Sequence, residues 1–139
     1  YVCCAVGTGG TIAGLIKAKK KRQKVIGFPA LKGNFLSEEI RKYVVKDASW
    51  GLQKKYHFGG YAKYADQLID FINNFKKDTS IQLDPIYTGK MLFGIIDLIK
   101  KDYFDEGAKI LAIHTGGLQG IEGINKQLQK KEQLLIDVL

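Results

Sequence analysis

Cysteine is nearly absent from this chain: it has two, Cys3 and Cys4, side by side. Neighbours on a strand point to opposite faces, so these two cannot easily bond each other, and no third cysteine offers a partner. A disulfide scaffold and a cysteine-rich metal site are both excluded. The pair reads instead as small core residues in a reducing compartment, so a cytoplasmic protein is expected. Histidine is equally scarce, with only His57 and His114. With no carboxylate cluster at ligand spacing beside them, no catalytic metal is expected. Long apolar runs are missing too: nothing approaches the roughly 20 residues of a membrane span. The first residues read as a strand, not as the basic stretch and apolar run of a secretory signal. No internal repeat, low-complexity tract or linker interrupts the chain.

What is present suits one globular domain over residues 1–139. Apolar residues make up 45% of the sequence, and a chain of this length buries about two-thirds of its extended surface. The net charge is +8, from 22 basic and 14 acidic residues. The densest basic cluster, Lys17 to Lys24, falls at the end of an expected helix, where cations suit the helix dipole. The other lysines are scattered over helices with little aromatic interleaving. The charge therefore reads as a solvated surface rather than a nucleic-acid site, and it raises the local concentration of an anionic ligand. There is no initiator methionine, and the chain starts within an apparent strand, so the expectation is a piece of a longer protein.

The hydrophobic pattern alternates strands with helices. Tyr1 to Val6 reads as a buried strand, Thr11 to Lys20 as a helix, and Val25 to Phe28 as a strand ended by Pro29. Leu36 to Val45 reads as a helix with Ser37 as its N-cap and Glu38 and Glu39 in its first turn. Ala48 to Tyr56 is expected to be a strand and His57 to Tyr61 a loop. Apolar residues at helical spacing mark a helix from Ala62 to Phe75. Asp84 to Tyr87 form a turn, and Thr88 caps a helix carrying Met91, Ile95 and Ile99. Lys109 to His114 form a short strand that leads through Thr115-Gly116-Gly117 into a helix over Gln119 to Lys130. The tail from Glu132 to Leu139 is apolar enough to dock. The fold class that follows is α/β, a parallel sheet with helices on both faces. In such sheets ligands bind beyond the carboxyl ends of the strands, where both glycine turns fall.

The first of those turns is the strongest single signal. Gly7-Thr8-Gly9-Gly10-Thr11 joins a strand to a helix, an arrangement that brings backbone N–H groups and a helix N-terminus to an anion. It is not a dinucleotide fingerprint, because Ile12 stands where the third glycine belongs and no acidic residue follows at ribose-binding distance. A nucleotide P-loop is absent as well. A monophosphate cofactor suits the compact turn better, while a tight turn without any ligand is the plain structural alternative.

That turn resembles the phosphate cup of pyridoxal-phosphate enzymes of the tryptophan-synthase β-type fold (fold type II). Three further segments narrow the resemblance: Tyr56-His57-Phe58-Gly59-Gly60-Tyr61-Ala62-Lys63, Leu83-Asp84-Pro85-Ile86-Tyr87-Thr88-Gly89-Lys90, and His114-Thr115-Gly116-Gly117-Leu118-Gln119-Gly120. In this order they are similar to the 1-aminocyclopropane-1-carboxylate deaminase / D-cysteine desulfhydrase family, over nearly the whole chain.

The resemblance implies that residues 1–139 belong to the large cofactor domain of such an enzyme, as its C-terminal segment. The cofactor would be pyridoxal 5'-phosphate, the substrate a small amino acid, and the full-length protein a homodimer with no nucleic-acid or membrane partner. Gly7, Thr8, Gly9, Gly10 and Thr11 would hold the cofactor phosphate. Thr88, Thr115 and Gly116 would complete the cofactor site, with the Thr115 hydroxyl at the ring nitrogen. Tyr61 and Tyr87 would be the catalytic pair, orienting substrate or exchanging a proton. A tyrosine titrates near 10, so a base role would require a lowered pKa. Tyr43 and Tyr64 are expected to be packed aromatics on helix faces. His114 and His57 are read equally well as hydrogen-bonded loop residues.

Two departures bear on function. The deaminases carry Glu after the second tyrosine, whereas this chain has Thr88, which favours the desulfhydrase-like branch. The family's Schiff-base lysine lies in an N-terminal part that is absent from this chain. Lys90 is expected to face away, and the isolated chain is expected to be inactive. From other classes, the alternatives are a non-catalytic phosphate-ligand-binding domain and a basic nucleic-acid module. Only the net charge supports the last.

Overall fold

In the computed structural model, which describes residues 1–46 and 49–138, the strand-like segments assemble side by side. Strands β1 (Val2–Val6), β2 (Val25–Pro29), β3 (Trp50–Leu52) and β4 (Leu111–Ile113) lie in the order β3-β2-β1-β4. Each pairing is parallel; Cys3 stands opposite Ile26 on one side and Ala112 on the other. Such pairings need crossovers, and the helices supply them.

The period-2 alternation of β1 and β2 separates two cores. Cys3, Ala5, Ile26 and Phe28 turn to one face, where they meet Met91, Ile95 and Leu98 of α4 (Thr88–Lys100) and Tyr56. Cys4, Val6 and Val25 turn to the other face. There they meet Ile12 and Ile16 of α1 (Gly10–Ala18) and Leu36 and Ile40 of α2 (Leu36–Arg41). The adjacent cysteines thus serve opposite faces of one sheet. Burial pushes their thiols up to about 11 and about 12, so both are un-ionised packing groups. A third cluster joins Leu68, Ile69 and Ile72 of α3 (Asp66–Thr79) to Ile121, Ile124 and Leu128 of α5 (Gly120–Lys130). Ile136 of the tail docks there. Asn125 fixes it with two bonds of 2.8 Å, its amide donating to the Ile136 carbonyl and its oxygen accepting the Ile136 N–H.

Several boundaries differ from the sequence reading. Helix α2 is shorter than expected, and Ser37 lies inside it. The residue at the cap position is Phe35, whose backbone is already helical, and no side chain caps the helix. Tyr43 follows α2 in an exposed turn. Helix α3 starts at Asp66, four residues later than expected, because Gly60 (φ 126°) and Ala62 (φ 53°) hold left-handed backbone that a helix cannot include. Tyr64 therefore precedes α3 and packs against the third cluster instead of riding a helix face. Of the expected strand from Ala48 to Tyr56, Trp50–Leu52 is strand and Ala48 lies outside the described residues. The tail's last residue, Leu139, does too. Among the described residues no helix is long and apolar enough to cross a membrane.

Candidate active site

At the end of β1 the chain turns through Gly7, Thr8 and Gly9 into α1. Gly9 takes φ +100°, and a Cβ there would stand 3.0 Å from Ile40 Cγ1, so both conformation and space call for glycine. Helical bonding begins where the Ala13 N–H donates to the Gly9 carbonyl at 3.0 Å. The N–H groups of Gly10, Thr11 and Ile12 accordingly have no partner within the helix. No acidic residue stands in the first turn, and no side chain caps it. The positive end of α1 is open to an anion.

Because β4 runs parallel to β1 and beside it, its carboxyl end reaches the same edge of the sheet. The chain leaves it through His114, Thr115, Gly116 and Gly117, with both glycines left-handed (φ 90° and 88°). His114 shapes this turn. Its Nδ1 accepts the Gly116 N–H at 3.1 Å, so a neutral ring carries its proton on Nε2, which lies 2.8 Å from the Gln82 carbonyl and donates to it. With both nitrogens engaged, the imidazole is a structural part of the turn. His57 does similar work in its own loop, where Nδ1 accepts the Gly59 N–H at 2.9 Å.

The Gly7–Thr11 turn, the Thr115–Gly117 turn and both predicted tyrosines line one cleft of about 490 Å³. Ala5, Val6, Ile12, Leu31 and Gln119 complete it, none of them predicted as a site residue. None of the lining side chains is a carboxylate or an ammonium. What the cleft offers an anion is backbone donors, the hydroxyls of Thr8, Thr11 and Thr115, and the helix dipole. Tyr61 and Tyr87 meet edge to face, with ring centroids 6.2 Å apart. Tyr87 lies against the first turn: a Cβ at Gly7 would be in ordinary contact with Tyr87 Cε1, at 3.5 Å. Burial pushes the Tyr87 phenol above the ordinary tyrosine range, and its hydrogen bond to Tyr61 acts in the same direction. The base role needs the opposite shift, so Tyr87 Oη keeps its proton at neutral pH and is a donor.

Thr88 is the predicted cofactor-binding residue that the fold directs elsewhere. It is fully buried, and its hydroxyl donates to Asp84 Oδ1 at 2.7 Å and accepts the Asp84 N–H at 3.1 Å. It lies behind the cleft and forms none of its lining. Nor does Thr88 cap α4, since Tyr87 holds the cap position. The capping group is the Asp84 carboxylate. Oδ2 accepts the N–H groups of Ile86 and Tyr87 at 2.7 and 2.8 Å, and Oδ1 that of Thr88 at 2.8 Å. The same carboxylate backs the second glycine turn, where a Cβ on Gly117 would meet Asp84 Cγ at 3.2 Å. Asp84 thus supports both sides of the cleft. The signal for it was in the sequence, an Asp-Pro turn immediately before a helix.

Lys90 does not line the cleft, but neither does it face solvent. It is 1% exposed, and its ammonium donates to the carbonyls of His57 and Gly60 at 2.9 and 2.8 Å. Burial brings it down to about 8, with the Asp84 carboxylate opposing. Among the described residues no group of three or more His, Cys, Asp or Glu gathers where a metal could be held.

The chain as a whole is similar to known proteins. No family model matches the chain. A Pyrococcus abyssi protein, named provisionally as a 1-aminocyclopropane-1-carboxylate deaminase, is 35% identical over 130 residues, covering 84% of this chain and 39% of its own. The 1-aminocyclopropane-1-carboxylate deaminase of a Bradyrhizobium strain is 30% identical over 142 residues, covering 88% and 41%. A mitochondrial Arabidopsis thaliana protein, named as a bifunctional D-cysteine desulfhydrase/1-aminocyclopropane-1-carboxylate deaminase, is 33% identical over 86% of this chain and 33% of its own. A crystal structure described as an ACC deaminase homologue superposes with a TM-score of 0.70 at 28% identity, covering 93% of this chain and 43% of that one. The chain spans about two-fifths of the length of the first curated relatives it matches.

Proposed function

We propose that this chain, a homologue over most of its length of the 1-aminocyclopropane-1-carboxylate deaminase / D-cysteine desulfhydrase family, forms the cofactor-binding part of a pyridoxal-phosphate-dependent enzyme. The enzyme would remove ammonia or a thiol from a small amino acid. One observation carries this reading: the open N-terminus of α1, the Thr115–Gly117 turn and the Tyr61–Tyr87 pair share a single cleft that has no charged side chain.

These residues fit the cofactor. The N–H groups of Gly10, Thr11 and Ile12 and the hydroxyls of Thr8 and Thr11 would hold its phosphate. The Thr115 hydroxyl would meet its ring, making a neutral hydrogen bond instead of the ion pair a carboxylate would form. When bound, the cofactor supplies an electron sink for the pair left by the α-proton. The chain's own contribution is proton handling at the leaving group. Tyr87 Oη, protonated at neutral pH, donates, and Tyr61 keeps it oriented. Loss of thiol or ammonia from a small substrate needs such a donor. With Thr88 buried against Asp84, position 88 presents no acid to the cleft, in keeping with the desulfhydrase-like branch. No lysine lines the cleft, so the covalent anchor would come from outside these 139 residues, and the isolated chain would bind without turnover. The full-length protein would work as a homodimer in the cytoplasm.

Equilibrium dialysis of the chain against pyridoxal phosphate and against pyridoxal tests the reading. Retention of the phosphate ester at least tenfold tighter, reversed by inorganic phosphate, is expected. Equal retention of the two would contradict it. The lack of a cleft lysine equally suits a phosphate-binding domain without chemistry. A native reading frame without a lysine-bearing segment upstream would favour that second reading.

A further inference from the structure

We infer that Lys90 is a positioning residue, whose ammonium, clamped by the carbonyls of His57 and Gly60, holds the loop that sets Tyr61 against Tyr87. The inference rests on the assignment of the tyrosine pair above.

The loop is an unusual one to keep in a single shape. Phe58, Gly59, Gly60 and Ala62 all have left-handed backbone (φ 52°, 97°, 126° and 53°), and two of them are not glycine. Its own bonds close it locally: the Gly60 N–H donates to the His57 carbonyl at 3.0 Å, and the Gly59 N–H to His57 Nδ1 at 2.9 Å. Those bonds shape the loop but do not attach it to the rest of the fold. Two features do. The Phe58 ring meets Phe93 of α4 edge to face at 5.0 Å, and the carbonyls on either side of the Phe58–Gly59 tip converge on one buried cation at 2.9 and 2.8 Å. A compact ammonium with rotatable donors suits two carbonyls arriving from different directions, and bonds from a charged donor are the stronger kind.

The consequence lies in where Lys90 starts. It belongs to the first turn of α4, three residues after Tyr87. The same helix end therefore carries one tyrosine on its backbone and grips, through a side chain, the residue immediately before the other. The pair's 6.2 Å edge-to-face contact joins two segments apart in sequence, and Lys90 adds a polar link between them besides the bond of Tyr87 to Tyr61. The ammonium is engaged by the loop carbonyls, and Lys90 does not line the cleft.

Lys90→Met keeps the buried stem and removes the donors, while Lys90→Arg keeps a cation. In the 139-residue chain, Lys90→Met should abolish the nuclear Overhauser contact between the Tyr61 and Tyr87 rings and speed amide exchange at Tyr61 at least tenfold. Binding of inorganic phosphate at the α1 turn should change less than twofold. Lys90→Arg should restore the ring contact at least in part. A folded Lys90→Met chain with ring contact and exchange unchanged would overturn the inference. So would an arginine variant indistinguishable from the methionine one, since the stem and not the cation would then be responsible. If Lys90→Met does not fold, the unsubstituted chain decides: Lys90 ammonium protons that exchange slowly and contact the Tyr61 amide support the clamp, and exchange at the rate of surface lysines refutes it. Failure of the unsubstituted chain to bind phosphate would count against the cofactor reading alone, because the ring contact is read without any ligand.

Discussion

The carboxylate of Asp84 accepts the backbone N–H of Tyr87 at 2.8 Å, and this bond ties the start of α4 to the cleft. The same side chain takes the N–H groups of Ile86 and Thr88 and the Thr88 hydroxyl. Removing it leaves several buried donors without an acceptor. Asp84→Ala should lower unfolding stability by about 2–4 kcal/mol, the sum of a lost helix cap and unsatisfied buried donors. Asp84→Asn, which retains one acceptor oxygen, should recover about half of that. Urea denaturation of the two variants measures both values, and a change below about 1 kcal/mol for the alanine variant would contradict the assignment.

Thr88 separates the structural from the ligand-binding reading of its position. Its hydroxyl is spent on Asp84 inside the protein. Thr88→Val should cost about 1–3 kcal/mol, the penalty for a buried acceptor left short of its donor. Affinity for pyridoxal phosphate, measured by dialysis on the folded variant, should stay within twofold. A large loss of affinity at unchanged stability would return Thr88 to the cleft.

Sequence alone revealed the sheet and both glycine turns, because each leaves a local pattern, alternation or a glycine cluster; Tyr61 and Tyr87 were singled out through the family resemblance, and the fold brings their rings together. Cys3 and Cys4 fell on opposite faces for the same reason that any neighbours on a strand do. Asp84 was legible only as the head of an Asp-Pro turn before a helix, without its bonds to three backbone N–H groups, and Lys90 was less legible still, since nothing in a sequence marks a lysine whose ammonium is buried under a loop. The late start of α3 was hidden because left-handed backbone at Ala62 defies the residue's own preference. For Thr88 the resemblance gave no hint of the Asp four residues earlier, to which its hydroxyl is bonded.

Tyr56 gives a pH signature of the core beneath the site. Its hydroxyl donates to Asp97 Oδ2 at 2.8 Å, and burial, followed by this bond, pushes the phenol up to about 12. The unfolded chain releases that proton near 10. Below about pH 10 the contribution is therefore fully present. Between about 10 and 12 the folded state holds a proton that the unfolded state has lost, and stability falls as pH rises. The stability difference between the unsubstituted chain and Tyr56→Phe should be about 1 kcal/mol near neutrality and shrink across that window. A difference that is constant or growing with pH would refute the bond.

His114 should be a neutral imidazole with its proton on Nε2, because Nδ1 is occupied as an acceptor by the Gly116 N–H. Nitrogen-15 spectra of labelled histidine distinguish the tautomers directly. An Nδ1–H signal would contradict the geometry of the second glycine turn. His114→Ala should loosen that turn, at a cost of about 1–2 kcal/mol for the two bonds lost.

The account depends most on the open end of α1. Amide chemical shifts of the isotope-labelled chain, followed as pyridoxal phosphate is added, test it at residue resolution. The largest changes are expected at Gly9 to Ile12, accompanied by Thr115, Gly116 and the rings of Tyr61 and Tyr87. Changes confined to the lysine-rich stretch from Lys17 to Lys24, with Gly10 to Ile12 unmoved, would contradict it.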